Sequence, residues 1–533
     1  MVTRISAQQA ATGAAKQAAK NVAQMVGPAA SAVGKQTQRA AKAVRKNVGK
    51  VVSGTLGLSG ERMTKVDTAW LRMDSESNLM MIVGVWILRP GITIDALRER
   101  IESKWLKYDR FLQRVEEDAA GATWIKDADF DIERQVVAEK LKRKPKQTDQ
   151  DALQERVGEL AMKPLDRKHP LWQFHLIENY AGPEGKGSAL IIRIHHCIAD
   201  GIALISVMNT LVDGGAPPPE RKSKAERGGA EDWIADTLLK PFTQLTVKAL
   251  GAAGEGAASA LHMLSDPKSG MAGSMDMAKV GYQLVSDLAA MALMPDDSKT
   301  RLKGKPGNTK RAAWCQPIPL NEVKAVGKAL NASVNDVLLS CVAGAIGEYL
   351  KSKGDDPSGQ EIRAMVPVNL RPMEQAYKLG NRFGLAPLVL PIGVDNPIER
   401  VYEVRRRMNH LKGSFQPLVA FSLLAVAGLL IKPAQDAMLN LFNKKTTAVM
   451  TNVPGPKDKL KFCGSTLEEN MFWVPQTGDV GLGVSILSYG GGVQFGVITD
   501  TKLCPDPQSI IDEFEPEFAK LAIVSLMMPW EEK

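Results

Sequence analysis

Ala189-Leu190-Ile191-Ile192-Arg193-Ile194-His195-His196-Cys197-Ile198-Ala199-Asp200-Gly201, followed by Ile202-Ala203-Leu204-Ile205-Ser206-Val207-Met208, is the stretch on which the fold and the chemistry turn. A β-branched apolar run, a short polar loop and a second apolar run predict a strand, a loop and a helix. The chain has only six histidines in 533 residues. Two of them are adjacent at the mouth of a buried strand, where an imidazole is costly unless it is hydrogen-bonded or employed. Successive strand residues face opposite sides, so one of the pair can reach a given cavity while the other turns into the scaffold. The bland reading is two satisfied core histidines before an Asp-Gly turn. The pair, the Asp four residues after the second His and the Gly opening a helix favour a working loop.

The spacing H-H-x-x-x-D-G resembles the signature of the acyltransferase superfamily that includes chloramphenicol acetyltransferase, peptide-synthetase condensation domains and the bacterial wax ester synthase/diacylglycerol acyltransferases. Other segments are similar to motifs of the last family, in its order. They are Met63-Thr64-Lys65-Val66-Asp67-Thr68-Ala69-Trp70, Pro170-Leu171-Trp172, Ser333-Val334-Asn335-Asp336-Val337, Val368-Asn369-Leu370-Arg371-Pro372, Gly380-Asn381-Arg382-Phe383-Gly384 and Thr451-Asn452-Val453-Pro454-Gly455-Pro456. The resemblance runs from about residue 60 to the C-terminus, apart from about 216 to 300.

The resemblance implies an α/β fold of two chloramphenicol-acetyltransferase-like domains with the active-site channel between them. It also implies an acyl-CoA-dependent O-acyltransferase making triacylglycerol from diacylglycerol, or wax esters from fatty alcohols. His196 is then the general base, His195 its structural neighbour and Asp200 the residue that holds the loop through an Arg. A neutral imidazole can take the hydroxyl proton and return it to the departing thiolate within one cycle. The N-D-V match makes Asn335 the candidate oxyanion donor; its structural alternative is to cap the following helix, a role open also to Ser333. Pro170, Leu171 and Trp172 are expected to shape an acyl or alcohol pocket, although a Trp after Pro-Leu is as easily plain core. Gly201 and Asp336 are counted with the substrate-binding residues, Asp336 reading chiefly as a maker of structural bonds. Coenzyme A phosphates need cations at the channel mouth, for which Arg371 and Arg382 are candidates.

Charge adds a second signal. The 68 Lys and Arg exceed the 59 Asp and Glu by nine. Residues 1–60 hold nine bases and no acid, which leaves 59 of each sign in the rest of the chain. Lys35, Arg39, Lys42, Lys46 and Lys50 recur at helical spacing. The arm reads as a solvated tail, a tether to an anionic membrane or lipid inclusion, or a transit-like segment; with no aromatic for base stacking, nucleic acid is not an expected partner. Five dispersed cysteines without a C-x-x-C pair indicate neither a disulfide framework nor a zinc site, and suggest a reducing compartment. No metal or resident redox cofactor is expected, since no zinc helix and no phosphate loop occurs. The longest apolar run, residues 417–431, is shorter than the roughly 20 residues a span needs and is expected to be buried or interfacial. The enzyme is accordingly expected in the cytoplasm, peripheral to the inner membrane or to lipid inclusions.

The expected organisation is an arm (1–60), an N-terminal domain carrying the His pair (61–215), a helical linker (216–309) and a C-terminal domain (310–533). Gly490-Gly491-Gly492 reads as a hairpin turn between two strands. Alternatives stay open. His195 to Asp200 also fits the H-x-x-x-x-D pattern of glycerol-phosphate acyltransferases. A condensation domain shares H-H-x-x-x-D-G, and a non-enzymatic lipid-coat protein would explain the basic arm and apolar linker.

Overall fold

In the computed structural model the protein is described over residues 60–118, 121–217, 294–370, 379–412 and 444–527, together with Ala420 and Gln435. The basic arm up to residue 59, most of the expected helical linker (218–293), the apolar run 417–431 apart from Ala420, and Arg371 lie outside the described residues.

The chain is built on two central sheets. The apolar run Met81–Arg89 becomes a fully buried strand, save for Arg89. It pairs antiparallel with Gly185–His195, whose other neighbour is Trp172–Gly182. This six-stranded sheet is completed by Val136–Glu139 at one edge and by Ser465–Trp473 and Lys461–Phe462 at the other. Those last two strands come from the C-terminal half of the sequence. The division expected at residue 310 therefore does not separate two self-contained halves, because the second lends its strands to the first.

The second sheet runs Phe383–Leu390, Ile362–Asn369, Ala448–Pro454, Leu482–Tyr489, Gly492–Asp500 and Lys310–Trp314, with Ile318–Pro319 beside the fifth strand. Gly490 and Gly491, at φ 59° and 84°, form the tight turn between Leu482–Tyr489 and Gly492–Asp500. Positive φ at both central positions suits the twist of a hairpin and is readily available to glycine.

Alternation along Met81–Arg89 sends its side chains into two different cores. Ile82, Trp86 and Leu88 join the core of the first half. Met81, Val83, Val85 and Ile87 pack with Leu153 and Val157 of the helix Asp149–Ala161 and with Ala312, Trp314 and Ile498 of the second sheet. This shared cluster fastens the halves together. At Gly158 a Cβ would lie 2.2 Å from the Lys310 carbonyl oxygen, so helix and strand meet there at backbone distance. A third core surrounds the helix Val334–Ser352, sealed by the helices Leu320–Ala329 and Phe514–Met527. Among the described residues no single helix is long and apolar enough to cross a membrane.

Candidate active site

The strand Gly185–His195 ends where the sequence turns polar. The His196 backbone amide donates to Met80 O at 2.7 Å, and Ile198 N donates to His195 O at 3.0 Å, closing the turn. His195 points into the scaffold: its Nε2 lies 3.3 Å from Asp74 Oδ1, and its Nδ1 accepts the Cys197 amide at 3.2 Å. These contacts fix the tautomer with the proton on Nε2. Burial raises the Asp74 pKa, but the hydrogen bonds from His195 and the Met80 amide, helped by the Arg167 guanidinium, outweigh it and hold the carboxyl below its usual range. Cys197 is wholly buried, and desolvation pushes its thiol well up, which leaves it a packing residue.

Asp200 caps the next helix, Gly201–Leu211, with Oδ1 accepting Ala203 N at 2.9 Å. Its Oδ2 accepts the Arg382 backbone amide at 2.9 Å. A segment of the second half thus clips onto the loop. Ala199 and Gly380 form a parallel bridge, with Gly380 N donating to Ile198 O at 3.1 Å. Gly380 has φ 108°, a conformation that glycine adopts without strain. Asn381 completes the clip: its Nδ2 donates to His196 O and to Asp67 Oδ1, both at 2.7 Å.

His196 itself is 3 % exposed. Its imidazole stacks on Trp70, with ring centroids 4.4 Å apart and planes 15° from parallel, and Phe383 flanks it at 5.4 Å. Nδ1 is buried with no hydrogen-bond partner among the described residues. Desolvation pushes the pKa of the ring down to about 4, against the opposing pull of its own carbonyl and the Asp200 carboxylate. The ring is neutral at physiological pH.

His196 lines a cavity of about 320 Å³ between the two halves. Asp200 and Gly201 border it beside His196; a Cβ at Gly201 would meet no heavy atom within 4 Å. Met73, Ile205, Leu385, Val449 and Phe472 make most of the wall apolar, and Thr451 and Asn452 supply polar groups. Such a site suits a hydrocarbon chain with one reacting polar end.

The other sequence candidates separate. The helix Val334–Ser352 is capped by Ser333, in a capping box with Asp336, so Asn335 is not the cap and Asp336 is committed to structural bonds. Asn335 is exposed and lies outside the cavity wall, but its Oδ1 accepts a 3.1 Å bond from Asn452 Nδ2, which is in the wall. Pro170, Leu171 and Trp172 do not line the cavity, contrary to the expectation of a pocket wall. Pairing of Trp172 with Ile194 turns the indole into the core among Trp105, Phe111 and Phe174, with Nε1 bonded to Phe111 O at 2.9 Å. Pro170 O is taken by Gln135 Nε2 at 2.9 Å. Arg382 is partly buried beside Asp200, and Arg371 lies outside the described residues. Trp70, Asn381, Phe383 and Asn452 enter the site without having been assigned a role from sequence. All four stand in motifs whose order was readable; that Trp70 and Phe383 flank the His196 ring, Asn381 holds its carbonyl and Asn452 lines the same cavity was not.

Comparison with known proteins agrees with this arrangement. Residues 63–338 match the family description "wax ester synthase/diacylglycerol acyltransferase catalytic domain", and residues 379–522 match its C-terminal domain. A protein named a probable diacylglycerol O-acyltransferase of Mycobacterium tuberculosis is 26 % identical over 483 residues, 87 % of this chain and 96 % of that protein. Among solved structures, the wax ester synthase/diacylglycerol acyltransferase of Marinobacter aquaeolei VT8 shares the fold with a TM-score of 0.60 at 20 % identity, covering 87 % of this chain and 99 % of that one. A trichothecene 15-O-acetyltransferase of Fusarium sporotrichioides shares it with a TM-score of 0.54 at 12 % identity, over 87 % and 94 % of the two chains. The two-sheet fold with its His-bearing cavity is therefore an acyltransferase fold, and the chain belongs to the wax ester synthase/diacylglycerol acyltransferase family, whose chemistry is acyl transfer to make neutral lipids.

Proposed function

We propose that this enzyme moves a long-chain acyl group from acyl-coenzyme A to the hydroxyl of diacylglycerol or of a long-chain fatty alcohol, with His196 as general base. The observation that carries the reading is a neutral, buried imidazole lining a largely apolar cavity of about 320 Å³ at the join of the halves. The acceptor oxygen attacks the thioester carbonyl as its proton passes to His196. The tetrahedral intermediate then collapses, the carbon–sulfur bond breaks, and the imidazolium returns the proton to the thiolate. Ester and free coenzyme A leave. A ring whose folded environment disfavours charge is a modest base, but the imidazolium it forms is a strong acid for the second transfer.

His195 and Asp200 serve as supports in this reading, holding the loop through Asp74, Ala203 and the Arg382 amide. Asn335, tethered by Asn452 beside the cavity wall, is read as the donor to the oxyanion. Arg371 and Arg382 remain candidates for the coenzyme phosphates. The basic arm is read as a tether to anionic membrane or to the surface of lipid inclusions. Purified enzyme incubated with a labelled long-chain acyl-coenzyme A should label triacylglycerol or wax ester when offered diacylglycerol, hexadecanol and glycerol phosphate side by side. Labelling of glycerol phosphate instead of either would overturn the reading.

A further inference from the structure

Trp70 stands on the helix Lys65–Arg72 and is only 3 % exposed. Its indole Nε1 is buried without a hydrogen-bond partner among the described residues, so no polar contact accounts for an indole at this position. What Trp70 presents to the site is a π face, 4.4 Å from the His196 ring and 15° from parallel. The helix that carries it is anchored from three sides. Thr64 caps its first turn, Asp67 Oδ1 accepts both the backbone and side-chain N–H of Asn381, and Gln435 Nε2 donates to Ala69 O at 3.0 Å. An aliphatic side chain could fill the same space. A flat aromatic on a ring whose charge changes twice per turnover does more: it blocks rotation of the imidazole out of plane, and its negative face attracts the imidazolium.

We propose that Trp70 is a positioning residue for His196, fixing the plane of the imidazole and favouring the ring once it holds the proton. The proposal rests on the reading of His196 as the base. Burial opposes the charged ring at the moment the hydroxyl proton arrives, and the indole face offsets part of that cost where water cannot. The charged and titratable groups around the ring are Asp200 at the cap of Gly201–Leu211, His195 at the end of its strand, Asp67 behind Asn381 on the Trp70 helix, and Arg382 beside Asp200.

The test uses the full chain with three changes at position 70: Trp70→Phe, Trp70→Leu, and a site-specifically incorporated tetrafluorotryptophan that keeps the shape but empties the π face. kcat is followed as a function of pH, and the His196 ring is titrated by NMR in protein carrying labelled histidine. Trp70→Leu and the fluorinated variant should lower kcat by roughly three- to thirty-fold, the range of a partly desolvated cation–π contact. His196 should titrate at lower pH in both, while Trp70→Phe keeps most of the activity. Should Trp70→Leu not fold, the fluorinated variant alone decides. An unchanged kcat, or a titration that stays in place or moves to higher pH, would reduce Trp70 to a packing wall and overturn the proposal. The titration needs no turnover, so it tests the stack even if loss of His196 were to leave acyl transfer intact and thereby sink the assignment of the base.

Discussion

The side-chain amide of Asn381 donates a 2.7 Å hydrogen bond to the carbonyl oxygen of His196, joining the two halves of the molecule at the residue proposed as the base. The same amide holds Asp67, whose carboxyl is wholly buried and raised in pKa by desolvation, partly offset by the Asn381 bonds. The position of the His196 backbone thus depends on docking of the 380–384 segment. Asn381→Ala should destabilise the protein by about 1–3 kcal/mol, the cost of leaving buried polar groups unpaired, and lower kcat more than it raises KM. Denaturant melts and steady-state kinetics check both; a wild-type kcat in the folded variant would show the clip to be dispensable for catalysis.

The proposed base, His196, is buried, and the expected pH profile follows from that. An imidazole with a depressed folded pKa stays neutral until the pH falls through that value. The kcat/KM of the free enzyme should therefore stay flat from neutrality down past 6.5 and fall only as the pH approaches about 4. Stability has the same sign: the neutral His196 is favoured above the unfolded value near 6.5, and that contribution is lost as the pH drops toward 4. An acid limb at 6.5 in kcat/KM would mean that the reacting ring is solvated.

Asn335 lies next to the helix cap without being the cap. Asn335→Ala should therefore leave the melting temperature nearly unchanged and lower kcat by ~10²–10³ if the amide serves the oxyanion. Ser333→Ala should do the reverse, costing about 1 kcal/mol of stability with little loss of rate per folded molecule. Rate and stability falling together in Asn335→Ala would point to a structural role.

Trp172 packs against Trp105, Phe111 and Phe174, and its Nε1 is bonded to Phe111 O. Trp172→Ala should cost about 3–5 kcal/mol of stability, as for other buried aromatic truncations, and leave the preference among acyl chain lengths unchanged in whatever protein folds. Altered chain-length preference would return the Pro170–Trp172 segment to the pocket.

The readable part of this protein was the part governed by local chemistry. The strand ending at His195, the helix opening at Gly201 and the hairpin at Gly490–Gly491 follow from side-chain periodicity and turn residues, and each formed as expected. Motif order along the chain also disclosed the family. Two features were not legible, both set by long-range pairing. Ser465–Trp473 alternates buried and partly buried residues as any half-covered strand does, and nothing local says that its partner is Met81–Arg89, some 380 residues earlier. Likewise, Pro-Leu-Trp carries the same letters whether Trp172 faces a cavity or a core; only its register against Ile194 decides.

All nine excess positive charges lie before residue 61, on a segment with no acid. Deleting residues 1–60 should leave acyl transfer intact and weaken sedimentation with anionic vesicles. Each basic residue near such a surface contributes up to ~1 kcal/mol, screened over about a Debye length, so high salt should partly release the full-length protein. Equal, salt-insensitive binding by both forms would assign lipid attachment to apolar surface instead.

The central claim is that one imidazole, His196, moves the proton. The most direct measurement compares turnover of His196→Ala, His195→Ala and the unaltered enzyme with the same acyl-coenzyme A and acceptor, alongside melting temperatures. His196→Ala should fold and lose ~10²–10⁴ in kcat, the contribution of a positioned general base, whereas His195→Ala should lose stability and activity together because Asp74 and the Cys197 amide lose their partner. Near-normal turnover in folded His196→Ala, with the loss falling on His195→Ala instead, would contradict the account.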